Sequence, residues 1–306
     1  MKVSALTTAE LELQLKQSGI FIQTGPFVTH LQTRIASVAQ GVGLLYTDFS
    51  LLEQTDYADF HVSLERPHNL RRWFKPQVLF RFDSSPPFKP LPLDQALPML
   101  EWGLNWCVSS HANRYLIIHA AVVEKDGYAA ILPAPPGSGK STLCAALVNR
   151  GWRLLSDELT LVRVDDGKLI PLPRPVSLKN QSIDVIQHYA PEAIFSPKVH
   201  DTIKGTVALM RPPTASVARA LEPAQIAWVI FPKYQAGAST QLQLLPKSRT
   251  FMRVADNAFN YSLLGTKGFE TLSNLIDAAD CYDFTYSVLD EAIATFAALK
   301  PPTFNT

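Results

Sequence analysis

Cysteine is scarce in this 306-residue chain: only Cys107, Cys144 and Cys281 occur. An odd number set far apart provides neither a disulfide framework nor the paired spacing of a metal site. Cys107 and Cys144 fall in apolar, helix-like stretches and read as small core residues. Charge of either sign in excess is missing as well, with 28 Lys+Arg against 27 Asp+Glu and a formal net charge of +1. No global basic field exists to gather nucleic acid or an anionic membrane. Long hydrophobic runs are also absent. The most apolar window, around 97–108, is short and contains Glu101, so no membrane span is expected. The polar N-terminus carries Glu10 and Glu12, which does not fit a secretory signal, and a cytoplasmic location is the expectation. There is no internal repeat and no low-complexity segment. What the chain has in quantity is apolar residues (47%) and 23 scattered prolines. That composition describes one large or two ordinary globular domains with many ordered loops.

The stretch the rest is organised around is 128–147, YAAILPAPPGSGKSTLCAAL. An apolar strand-like run gives way to Pro133-Ala134-Pro135-Pro136, then Gly137-Ser138-Gly139-Lys140-Ser141-Thr142, then a good helix former. Strand, glycine loop and helix in that order make a phosphate cradle. The glycines let backbone N–H groups turn inward around a polyphosphate. Lys140 suits the β- and γ-phosphates, Ser141 offers a hydroxyl to Mg²⁺, and the new helix directs its positive end at the anion. The first glycine of G-x-x-x-x-G-K-[ST] is replaced by Ala134. Alanine tolerates positive φ poorly, so Ala134 is expected in an extended conformation beside its prolines.

Upstream, 6–16 reads as a weak amphipathic helix, 20–31 as a strand broken at Gly25-Pro26, and 36–46 as a helix weakened by Gly41 and Gly43. Strands follow at 57–64 and 78–82, and 93–111 is a long, mostly buried helix. The basic and aromatic run Arg71-Arg72-Trp73-Phe74-Lys75 reads either as an anion or partner patch or as a solvated turn that packs Trp73, the second being favoured by its shortness. The run 115–124, YLIIHAAVVE, is a buried strand that returns through a Lys125-Asp126-Gly127 turn. A boundary near Asn113 divides the chain into an N-terminal α+β module, 1–113, and a phosphate-loop unit, 114–306. Past the glycine loop, 152–155 is a strand, expected to be adjacent in the sheet, and 159–171 a hairpin about Asp165-Asp166-Gly167. Farther on, 225–231 is a strand, 247–257, 268–279 and 291–299 are helices, and 282–286 is an edge strand.

Asp157 lies 17 residues after Lys140, at the C-terminal end of the next strand, where open α/β sheets put their ligand groups. Glu158 follows it. Neighbours at a strand end point opposite ways, so one acid can serve Mg²⁺ while the other faces an acceptor. Farther along, Arg174 and Lys179-Asn180 are either clamps for a phosphate or peptide or ordinary loop cations.

Ile118-His119, PPGSGKST and RGWRLLSDE resemble the catalytic half of the bacterial HPr kinase/phosphorylase family, which shares a core with phosphoenolpyruvate carboxykinase. LEWGLNWC, HAAVVE, PLPRPVSLKN, KGTVALMRPP and DNAFNYS resemble more closely the HPr-kinase-related kinase A group found beside exosortase systems. The resemblance implies an α/β fold: an α+β N-terminal module leading into a phosphate-loop kinase domain of the HPr kinase and phosphoenolpyruvate carboxykinase type. It implies ATP and Mg²⁺ as cofactors, with Pro136, Gly137, Ser138, Gly139, Lys140, Ser141 and Thr142 around the phosphates. By the same resemblance Asp157 activates the acceptor hydroxyl, Glu158 (Asp in the relatives) stands on the metal side with Ser141, and His119 lies near the transferred phosphate. A lone histidine in an apolar strand is otherwise a satisfied core residue. Lys204 takes the place of the relatives' loop arginine and Thr202 that of their glutamate, so a Mg²⁺ ligand is either missing there or supplied by Asp201. The expected activity is ATP-dependent transfer of the γ-phosphate to a hydroxyl, on a protein or peptide serine rather than a free metabolite. A nucleotide hydrolase and a nucleotide-gated binding module of a surface-sorting system are the alternatives, and a homo-oligomer is left open.

Overall fold

A computed structural model describes residues 1–53 and 57–302. The N-terminal part opens with α1 (Thr8–Gln17), started by a capping box in which the Thr7 hydroxyl accepts from the Glu10 N–H while Glu10 reaches back to the Thr7 N–H. The hairpin β1 (Ile20–Thr24) and β2 (Phe27–Thr33) turns at Gly25, φ +55°. α2 (Ala36–Leu45), β3 (Leu51–Leu52), β4 (Phe60–Glu65), β5 (Gln77–Phe82), β6 (Leu91–Pro92) and α3 (Ala96–His111) follow. Among the described residues these strands form one sheet ordered β3-β1-β2-β4-β5-β6. α2 tolerates its glycines because one of them is a contact point: a Cβ on Gly41 would sit 2.5 Å from Leu97 of α3. The 70–75 run forms a short 3₁₀ turn at Leu70–Arg72, but Trp73, expected to pack, is 76% exposed.

The second sheet is built from β7 (Tyr115–Lys125) and β8 (Tyr128–Pro133), a hairpin turning through Asp126 and Gly127, both at positive φ. α4 (Lys140–Val148) leads to β9 (Arg153–Ser156) and β10 (Leu159–Arg163), and β11 (Leu169–Ile170) pairs back on β10. A smaller sheet contains β12 (Val176–Lys179), then, past α5 (Gln181–Tyr189), β13 (Val199–Thr202) and β14 (Gly205–Met210), in the order β12-β14-β13. α6 (Thr214–Ala218), β15 (Gln225–Tyr234), β16 (Gln241–Leu244), α7 (Lys247–Ala255), α8 (Tyr261–Leu264), α9 (Thr266–Asp277), β17 (Asp280–Tyr286) and α10 (Leu289–Ala297) complete the chain. The large sheet is mixed: β8, β15 and β17 are parallel neighbours, and β7 runs against β8. The protein is an α/β protein, as its sequence implies. Among the described residues no helix is long and apolar enough to cross a membrane.

Two expected strand positions are corrected. β9 is not beside the loop strand β8 but pairs with β7 on its far side. The hairpin partner β7 already holds one edge of β8 and the parallel β15 holds the other, so the α4 crossover must step over one strand. The strand at the chain's end, β17, is interior, because β16 covers its outer edge. β16 is only four residues long, QLQL, too short an alternation to reveal it.

One face of the large sheet packs on α4, α5 and α10, the other on α7 and α9. On the first face β7 crosses between two cores. Tyr115 and Ile117 belong with the N-terminal sheet, Ala121 and Val123 with α4, and His119 falls between them. The later chain makes the same passage twice, from Leu154 to Leu159 across Asp157-Glu158 and from Leu172 to Val176 across Arg174. Polar groups gather along this seam because neither apolar core can accommodate them.

Candidate active site

The glycine loop spans the end of β8 and the start of α4. Ala134 is buried and keeps a negative φ, whereas Gly137 and Gly139 adopt +83° and +87°. Ala134 thus avoids the left-handed region that a glycine at this position could enter. Gly139 is irreplaceable for a second reason. A Cβ there would lie 2.6 Å from Tyr286 Oη and 2.9 Å from Tyr234 Cβ. These tyrosines hold the loop from the strand ends next door: Tyr286 Oη donates to Gly139 O (3.0 Å), and the Tyr234 N–H donates to Ser138 O (2.8 Å). Ser138 Oγ is buried with no partner among the described residues. Pro136 is exposed, while Ser141 and Thr142 are half-buried on the first turn of α4.

Lys140 is the first residue of α4 and is buried, yet it makes no hydrogen bond or ion pair among the described residues. Burial pushes its ammonium below the usual lysine range, and the charges of Asp157 and Glu158 pull it back up. Asp157 sits where β9 ends. Its Oδ2 accepts from the Ser177 N–H at the start of β12 (3.1 Å), and its Oδ1 is buried without a partner. Burial, then the neighbouring Glu158, raises its carboxyl to about 6, with Lys140 opposing. A buried acid with one idle oxygen and a raised affinity for protons has the properties of a proton acceptor. Of the two acids it is the one whose charge the buried Cys144 of α4 feels.

Glu158 points the other way. Burial alone would raise it, but Lys204, Lys179, Lys140 and His119 outweigh burial and hold it ionised below the usual glutamate range. Lys179 Nζ is 4.0 Å from Glu158 Oε1, and Asn105 Nδ2 donates to Oε2. His119 faces this acid too. Burial first, then Lys140, lowers its imidazole to about 4, so the ring is neutral at physiological pH. Phe259 packs beside it with centroids 5.7 Å apart. Lys204 lies over the Trp102 ring at 5.0 Å from the centroid. The charges of Lys140, Asp157, Glu158 and Lys204 and the His119 ring therefore act on one another, with Lys140 ending the glycine loop.

Other expectations resolve differently. Arg174 is no free clamp: it is 7% exposed and its guanidinium is spent on Glu101 (3.4 Å) and Asn105. Lys179 is the loop cation that does face the acids. Asp201 is exposed with φ +54°, and its backbone carbonyl accepts from Gln95 Nε2 (3.2 Å). Sequence reasoning missed Trp102, Asn105, Ser177, Tyr234 and Tyr286. The one local signal for the first two was polarity on a buried helix, with Glu101 and Asn105 one turn apart.

No family model matches this chain, and no curated protein matches it. A solved structure of the Hpr(Ser) kinase/phosphatase from Coxiella burnetii is similar to 59% of this chain and 95% of its own, at 12% identity and a TM-score of 0.26. A likeness that slight leaves function to be argued from the cleft itself.

Proposed function

We propose that this protein is an ATP-dependent kinase that transfers the γ-phosphate to a hydroxyl, on a serine of a protein or peptide, as in the HPr-kinase-related group its sequence resembles. The observation that carries the reading is the meeting of a positive-φ glycine loop, an unpaired Lys140 and an acid pair of opposite proton affinities in one cleft. Backbone N–H groups of 137–142 and the N-terminus of α4 cradle the β- and γ-phosphates, and Lys140 neutralises their charge. Asp157, with Oδ1 free and its proton affinity raised, takes the proton from the acceptor hydroxyl. Neutral His119, Lys179 and Lys204 line the far wall, where the two lysines attract the transferring group. The donors present fit Mg²⁺: the hard hydroxyl oxygen of Ser141 and the carboxylate of Glu158, which its cationic neighbours keep ionised. Ser141 and Glu158 would hold the ion, whose contribution is neutralisation of phosphate charge. A hydrolase is the second reading, and a nucleotide-gated binding module the third. An acid with proton affinity tuned into the working range favours an enzyme over the latter.

The test is transfer of label from γ-labelled ATP to a protein of a cell lysate, against release of free phosphate. Transfer is expected, and folded Lys140→Ala protein is expected to bind no nucleotide by calorimetry. Asp157→Asn should leave Mg-ATP binding near wild type and slow transfer on the order of 10²-fold. Glu158→Gln should recover part of its lost rate at higher Mg²⁺. Phosphate release with no labelled acceptor would favour the hydrolase, and metal rescue of Asp157→Asn alone would exchange the roles of the two acids.

A further inference from the structure

Glu158 is held from a direction the phosphate-loop unit does not supply. Glu101 and Asn105 stand one turn apart on α3, facing the seam. Arg174, confined between Pro173 and Pro175, forks across both. Its Nη1 donates to Glu101 Oε2 (3.4 Å) and its Nη2 to Asn105 Oδ1. Glu101 Oε1 accepts in turn from Tyr46 Oη at the end of α2. Guanidinium groups only donate and ionised carboxylates only accept, so Asn105 between them has one possible orientation. Its oxygen faces Arg174 and its NH₂ faces Glu158 Oε2. The line Tyr46–Glu101–Arg174–Asn105–Glu158 is therefore polarised throughout, and its middle members are almost solvent-free, Glu101 at 4% and Arg174 at 7% exposure. With Oε2 held by Asn105, Glu158 has Oε1 left for the cleft.

We propose that Asn105 is a positioning residue, oriented by Arg174, which fixes the Glu158 carboxylate so that helix α3 of the N-terminal part completes the candidate active site. This rests on the reading of Glu158 as the metal-side acid. A purely structural line would stabilise the seam without touching the metal. A positioning line makes the metal dependence of nucleotide binding respond to Asn105.

The experiment is calorimetric titration of the full-length protein with ATP over a series of Mg²⁺ concentrations, with melting temperatures as the folding control. Asn105→Leu, similar in size but without a donor, is expected to raise the Mg²⁺ needed for half-maximal ATP affinity at least 10-fold. Its metal-free ATP affinity should stay within about 3-fold of wild type. Arg174→Lys keeps a cation against Glu101 but has no fork to reach Asn105, and should move the Mg²⁺ dependence the same way. The double variant should be no worse than Asn105→Leu alone, because both changes break one linkage. Wild-type Mg²⁺ dependence in folded Asn105→Leu protein overturns the proposal, and additive effects in the double variant overturn the linkage through Arg174. Should the wild-type protein show no Mg²⁺-dependent ATP binding at all, it is the kinase reading that fails, and the positioning role falls with it.

Discussion

Asp157 illustrates what a single residue of the cleft costs the fold. An ordinary aspartate titrates near 3.8, whereas burial and Glu158 hold this one up to about 6. A raised value means that the folded protein binds the proton more tightly than the unfolded chain does. The associated stability is fully present below about pH 4 and is lost as pH rises through 6. At neutral pH the folded protein therefore keeps a charge in a place that disfavours it. Asp157→Asn removes the titration, so its stability relative to wild type should improve by about 2–3 kcal/mol between pH 4 and pH 7.5. Denaturant unfolding of the nucleotide-free protein at the two pH values measures this. An equal difference at both would mean that Asp157 is not buried as a charge.

At the level of elements, the glycine loop keeps its shape because β15 and β17 end beside it. Tyr286 donates to Gly139 O from one strand, and the Tyr234 backbone donates to Ser138 O from the next. Tyr286→Phe loses the hydroxyl but keeps the ring against Tyr234 and Phe284. It should lower stability by about 1 kcal/mol and weaken ATP binding several-fold, since the cradle must then be ordered by the ligand. Gly139→Ala puts a methyl against the same hydroxyl, at φ +87°, and should abolish ATP binding. Calorimetry on both variants checks the pair. Undiminished binding by Gly139→Ala would mean that the loop rearranges freely and the tyrosines do not shape it.

For the whole molecule, the division proposed near residue 113 separates sheets more cleanly than it separates cores. The N-terminal sheet takes its strands from 20–92, but the apolar cluster around it also includes Ile117, Leu159, Leu161, Leu172 and Leu209 from later in the chain. The polar line from Tyr46 to Glu158 crosses the same seam. Two parts joined in this way should unfold together, so scanning calorimetry is expected to show one cooperative transition, shifted upward by Mg-ATP because only the folded state binds it. Two separable transitions, with only one responding to nucleotide, would mark 1–113 as an independent module.

Much of this was legible in the residues alone, wherever the physics is local. The strand, glycine loop and helix of 128–148 follow from apolar runs, positive-φ glycines and helix propensity within some twenty residues, and Asp157 follows from the length of one crossover. The α/β character, the hairpin at Asp126-Gly127 and the long buried helix follow for the same reason, whereas 20–31, read as one strand broken at Gly25-Pro26, is a hairpin of two. What only the tertiary structure decided is which distant groups meet. Asn105 reaches Glu158 across 53 residues, Arg174 reaches Asn105 across 69, and Tyr286 reaches Gly139 across 147. β9 lies beyond β7 because both edges of β8 were already taken, and β17 became interior because β16 found its edge. Arg174 looked like a free loop cation because nothing near it in sequence neutralises it; its partner Glu101 stands on α3, 73 residues earlier. Periodicity and spacing report on a residue's neighbours along the chain, but pairing across a seam depends on how two cores pack together, and no local pattern encodes that.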